Sequence, residues 1–171
     1  MTNCVAKPLS RQNIRNMAMK IRKIEGSEHT LYFDIVHFLE YTLPKIDSNF
    51  TLSVLPKEKM GECHGLTFPE KNEIQIREDV YERALNGSGR DRFTMAHELF
   101  HLLQHDYSNI SFARMGDSER LPRYKDPEWQ ADAFGGELLI PYNLVQGLSA
   151  DQIMDGCQVS AKAANFQLMY V

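Results

Sequence analysis

Phe93-Thr94-Met95-Ala96-His97-Glu98-Leu99-Phe100-His101-Leu102-Leu103 contains no glycine or proline and should be helical. On an α-helix, residues four apart lie about 6 Å along the axis and about 40° around it, so His97 and His101 present their imidazoles side by side. Two donors for one metal ion are thereby set. Glu98 is turned about 100° from His97, within reach of a water at such a site without itself being a ligand. Its expected role is general base. Phe93, Met95, Ala96, Leu99, Phe100, Leu102 and Leu103 leave little of this helix for solvent. A half-buried helix does not carry His, Glu and His together without a partner for them. The pattern is that of a zinc hydrolase.

Two histidines need a third protein ligand. His105 continues the series at i+8, but on a continuing helix its backbone lies about 12 Å along the axis from His97, too far to share one ion. It suits a helix end or the substrate side better. His64 follows Cys63 in an expected strand, where neighbours point to opposite faces, so that pair does not bind one metal. The remaining candidates lie in Pro127-Glu-Trp-Gln-Ala-Asp-Ala-Phe-Gly-Gly-Glu-Leu-Leu-Ile-Pro141. Pro127 suits a first helical turn, and Glu128 and Asp132 fall four apart on one face. One carboxylate can ligate the ion while the other accepts a hydrogen bond from the non-ligating nitrogen of a ligand histidine. The glutamate and aspartate four apart after the HEXXH motif resemble the gluzincin arrangement. That likeness makes Glu128 the ligand and Asp132 the partner of His97. Zinc is the expected ion, and manganese or another divalent ion also suits a His-His-carboxylate set.

Working outward, 171 residues of 43% hydrophobic and 25% charged composition fit one globular domain over 1–171. No apolar stretch approaches the length of a membrane span, and Met1 to Pro8 lacks a secretory apolar region, so the expectation is a cytoplasmic protein. Cys4, Cys63 and Cys157 are few and far apart, which fits reduced thiols. The net charge of −4 is uneven: Lys7, Arg11, Arg15, Lys20, Arg22 and Lys23 face only Glu25, making residues 1–25 +5 and the rest −9. Ile14, Met17, Ala18, Ile21 and Ile24 recur at helical spacing, so 1–25 reads as a basic amphipathic helix whose charges stay wet. Overall acidity argues against direct nucleic-acid binding.

A first helix is expected from Ser10 to Ile24 and a second from Leu31 to Tyr41, stopped by Pro44. Phe50–Leu55, Glu62–Phe68 and Glu73–Arg77 read as three strands of a small antiparallel sheet. Ser88 or Asp91 should cap the His97 helix. The elements make an α+β fold, with residues 91–141 carrying the metal-binding helices and their connection. The long stretch from Asp106 to Asp126 suits a lid, a binding loop or a connector. Tyr107, Tyr124, His105 and His64 are conceivable oxyanion donors, none of them distinguished by sequence.

Arg92-Phe93-Thr94-Met95-Ala96-His97-Glu98-Leu99-Phe100-His101, then Glu128, then Ala131-Asp132-Ala133-Phe134-Gly135-Gly136-Glu137-Leu138-Leu139-Ile140-Pro141 resembles the ImmA/IrrE family of metallopeptidases over roughly residues 30–165. Phe100 stands where many members have glycine, Gly135-Gly136 replace alanines, and the ending Val159-Ser160-Ala-Lys-Ala163-Ala164 lacks a frequent arginine. None of these removes a ligand. The resemblance implies a zincin-like domain and a cytoplasmic zinc-dependent protease cutting one dedicated protein, typically a helix-turn-helix repressor encoded beside it. Short members also accompany antitoxin-like regulators. The competing class is a non-catalytic, zinc-stabilised module that sequesters a repressor or toxin partner. A structural zinc site is usually closed by four protein ligands and has no use for Glu98, which favours the enzyme.

Overall fold

Apolar periodicity and capping explain the helices of the computed structural model, which describes residues 2–104, 110–114 and 122–171. Helix α1 (Arg11–Ile24) starts where Ser10 Oγ accepts from Asn13 N and Asn13 Oδ1 accepts from Ser10 N, a reciprocal capping box. Ile14 and Ala18 are fully buried, Met17 and Ile21 half-buried. The helix does not begin at residue 1, because Thr2–Ala6 forms strand β1. Nor do all its basic residues stay wet. Arg22 is buried and donates to the carbonyls of Leu138 (2.6 Å), Ser27 (3.1 Å) and Thr30. A planar guanidinium with five donors can satisfy several main-chain acceptors at once.

Pro44 does not stop the second helical segment. Helix α2 (Ile35–His37) runs into a π-helical stretch, Phe38–Thr42, and on through α3 (Leu43–Ile46), with Pro44 inside it. Ahead of the proline the ladder has already widened, Leu43 N–H donating to Phe38 O five residues back. This change of register accommodates a residue that has no N–H.

Strands β2 (Thr51–Leu55), β3 (Gly65–Phe68) and β4 (Glu73–Arg77) form a sheet in the order β2-β4-β3. β3 pairs antiparallel to β4, as expected. β2 pairs parallel to β4, with Leu52 opposite Ile74, so the sheet is mixed rather than wholly antiparallel. Residues 56–72, which include α4 (Lys57–Met60), supply the crossover that a parallel pair requires. A second, two-stranded antiparallel sheet joins β1 to β5 (Ile110–Arg114), so the stretch from Asp106 to Asp126 contains a strand. Residues 105–109 and 115–121, with His105 and Tyr107 among them, lie outside the described residues.

Helix α5 (Glu78–Leu85) leads to α6 (Gly89–Gln104), which packs on β3 and on α7 (Pro127–Leu139). α7 in turn packs on α1, and α8 (Ala150–Cys157) and α9 (Ala161–Leu168) complete the described chain. Ile14, Ile74, Ile76, Leu99, Phe100, Phe134, Leu138 and Ile153 belong to one buried apolar cluster. Among the described residues no helix is long and apolar enough to cross a membrane. The three cysteines are free, and burial pushes the Cys157 thiol up to about 11.

Candidate metal centre

Helix α6 is fixed at its start by polar contacts that orient everything after it. Ser88 Oγ lies 3.4 Å from Asp91 N as acceptor and donates to Asp91 Oδ2 at 2.6 Å. Arg83 clamps the same carboxylate at 2.9 and 3.1 Å. The next residue, buried Arg92, donates to the carbonyls of Cys157 (2.9 Å), Phe33 (2.6 Å) and Gln158. Met95, Ala96, Leu99 and Phe100 are fully buried on one face. This leaves His97, Glu98 and His101 half-buried on the other.

Helix α7 brings the carboxylates. Asp126 Oδ1 caps it by accepting from Glu128 N at 3.0 Å, and Pro127 occupies a first-turn position. Gln130 Nε2 donates to the carbonyls of Lys7 (2.9 Å) and Tyr124 (2.8 Å), anchoring that turn to the N-terminal segment. Glu128 and Asp132 then project toward α6 with side chains 69% and 62% exposed, so the centre opens to solvent on the α7 side.

His97 Nε2 lies 2.9 Å from His101 Nε2 and 3.2 Å from Glu128 Oε2, and His101 Nε2 lies 3.4 Å from Glu128 Oε1. Three donors at about 2.0–2.2 Å from one ion at tetrahedral angles lie about 3.3–3.6 Å apart. The spacing therefore fits a single ion after small adjustments, and the donor set, two imidazoles and a carboxylate, is one that zinc accepts. Among the described residues these three form the one group of His, Cys, Asp or Glu close enough to hold a metal. On the far side of the ring, His97 Nδ1 lies 2.9 Å from Asp132 Oδ1.

Burial pulls the His97 pKa down, but Asp132 and Glu128 outweigh it and push the group up to about 9. Burial lifts Glu98 above the ordinary carboxylate range, partly offset by a hydrogen bond from Thr67 and by the charge of His97. A carboxylate of raised basicity is suited to accepting a proton near neutral pH.

The structure thus brings His97, His101 and Glu128 together, sets Asp132 against His97, and places Glu98 where it feels the charges of His97 and Glu128. Cys63 and His64 precede β3, and neither joins the cluster. Sequence reading missed Thr67, whose Oγ1 lies 2.6 Å from Glu98 Oε2. Its signal was the alternation Gly65-Leu66-Thr67, legible only once the face of β3 turned to α6 was known.

The peptidase family model described as IrrE N-terminal-like domain matches residues 55–169, more than half of the chain. The chain belongs to the IrrE N-terminal-like family. No curated relative matches it. The matched region runs from the end of β2 through α9 and so holds all five residues of the centre. Phe100 and Gly135-Gly136 have local explanations in the packing. Phe100 packs its ring 5.0 Å from that of Phe134, filling space between α6 and α7. A Cβ at Gly135 would come 3.1 Å from the Phe93 ring, and one at Gly136 would come 3.0 Å from Gln167 Oε1. Alanine at either position would force those neighbours to move.

Proposed function

We propose that this chain is a zinc-dependent endopeptidase of the cytoplasm that cleaves a specific intracellular protein, a helix-turn-helix repressor or antitoxin-like regulator encoded nearby. The observation that carries the reading is the convergence of His97, His101 and Glu128 from two helices, with Glu98 beside them and uninvolved in that triad. His97, His101 and Glu128 would hold the ion. Bound there, zinc supplies Lewis acidity that polarises a scissile carbonyl and acidifies water.

The chain's own residues do the rest. Asp132 accepts the hydrogen on His97 Nδ1, which turns Nε2 inward and keeps it free to ligate. Glu98 takes the proton of the attacking water and returns it to the leaving amine. β3 is an edge of its sheet and packs on α6, so its outer main chain suits an extended substrate segment added as a further strand.

The test is incubation of the zinc-loaded protein with the repressor-like product of the adjacent gene. Cleavage by wild type, with turnover reduced about 10²–10⁴-fold in Glu98→Gln, supports the enzyme. Intact binding of that protein by wild type and Glu98→Gln alike would make the chain a zinc-stabilised sequestering module instead.

A further inference from the structure

We propose that Gly65 and Thr67 form a cradle that positions the Glu98 carboxyl group, an inference that rests on reading Glu98 as the general base. Residues two apart on a strand share a face, and on β3 this face looks at α6. Thr67 Oγ1 lies 2.6 Å from Glu98 Oε2 and 3.0 Å from the Glu98 main-chain oxygen. Among the described residues its hydroxyl bonds to Glu98 alone. Gly65 makes the room: a Cβ there would stand 2.7 Å from Glu98 Cγ and 3.1 Å from both Cδ and Oε1. Any side chain at 65 would evict the carboxyl group from its present place.

The hydroxyl suits this task because it can donate to a carboxylate oxygen and to the carbonyl oxygen of the protonated acid alike. Toward the ionised carboxylate, Thr67 donates its hydrogen to Oε2. Once Glu98 has taken a proton on Oε1, Oε2 is the carbonyl oxygen of the acid and still accepts from Thr67 Oγ1. Both states use the same short contact. The carboxyl group is thereby held by Oε2 on either side of a proton transfer at Oε1. Among the described residues Thr67 bonds to Glu98 and not to the three candidate metal donors, so it is a positioning residue and not a ligand.

The test uses the Co2+-loaded full chain and acetohydroxamate, a small chelating probe whose hydroxyl proton a neighbouring carboxylate accepts, titrated through the visible spectrum of the ion. Thr67→Val should weaken acetohydroxamate about tenfold, the worth of one hydrogen bond to a charged group. Gly65→Ala should do the same by a separate route, Thr67→Ser should bind as wild type does, and Glu98→Gln should set the weak limit. Metal stoichiometry of Thr67→Val should match wild type. Wild-type affinity in Thr67→Val beside weakened Glu98→Gln would overturn the cradle while leaving the general base intact. Equal weakening in Thr67→Ser and Thr67→Val would overturn the role given to the hydroxyl. Should Glu98→Gln bind the probe as tightly as wild type, or the chain take up no cobalt, the reading of the centre itself fails. If Thr67→Val does not fold, Gly65→Ala and Thr67→Ser still decide the matter.

Discussion

At His97 a proton and a metal ion would compete for the same ring. Without metal, Asp132 and Glu128 hold the imidazole protonated up to about 9 against the pull of burial. Its folded value stands above the ordinary value of about 6.5, so the charged ring stabilises the metal-free fold in full below that pH. This contribution is lost as pH rises through about 9. Zinc needs the neutral ring, so its affinity should move the other way, rising with pH until about 9 and flattening above. Competition against a chromophoric chelator between pH 6.5 and 9.5 measures this, and a flat profile contradicts the role given to His97. Asp132→Asn should lower zinc affinity about 10–100-fold, because the ring then loses the carboxylate that fixes its tautomer. Unchanged affinity in the same titration would mean that the 2.9 Å contact to Nδ1 does not orient the ligand.

The elements differ in how much of them the sequence discloses. α1, α6 and α7 were legible because each combines apolar residues with a start signal, namely Ser10, Ser88 and Pro127. The strands were legible in position but not in direction, since alternation along a strand is the same whether its neighbour runs parallel or antiparallel. β1 and β5 pair across more than a hundred residues of sequence, and their short segments carry no mark of that partnership. Pro44 misled because a π-helical turn ahead of it could not be read from local propensity. At the start of α6, burial raises the Asp91 carboxyl pKa, but hydrogen bonds from Arg83 and Ser88 outweigh it and hold the group below the usual range. Asp91→Asn should therefore destabilise the fold by about 2 kcal/mol at pH 7, measured by denaturant unfolding. The stabilisation exists above the ordinary carboxylate value of about 3.9 and fades as pH falls through the folded value, so the gap between wild type and variant should close in acid. A gap that persists there would show that Asp91 acts through packing rather than charge.

Across the whole molecule, the basic N-terminal segment proves to be partly internal wiring. Arg11 and Arg15 reach Glu137 at 2.8 and 2.9 Å, and the Glu137 side chain is fully buried. Their guanidinium groups stack on Tyr170 and Tyr142, each 3.6 Å from the ring centroid. This clamp ties α1 to α7, the helix that carries Glu128 and Asp132. Charge counted along the sequence could not reveal it, because the counter-charge stands more than a hundred residues away. Glu137→Gln should destabilise the protein by about 3–5 kcal/mol in denaturant unfolding, since two cations then lose a buried partner. A change below about 1 kcal/mol would show that the arginines rehydrate freely. The centre rests on this framework, and its central claim is most directly tested by zinc per chain in purified wild type, Glu128→Ala and Glu98→Gln, read by plasma mass spectrometry. The expected result is about one, near none and about one, respectively. Zinc retained in Glu128→Ala, or lost in Glu98→Gln, would contradict the assignment of ligand and base.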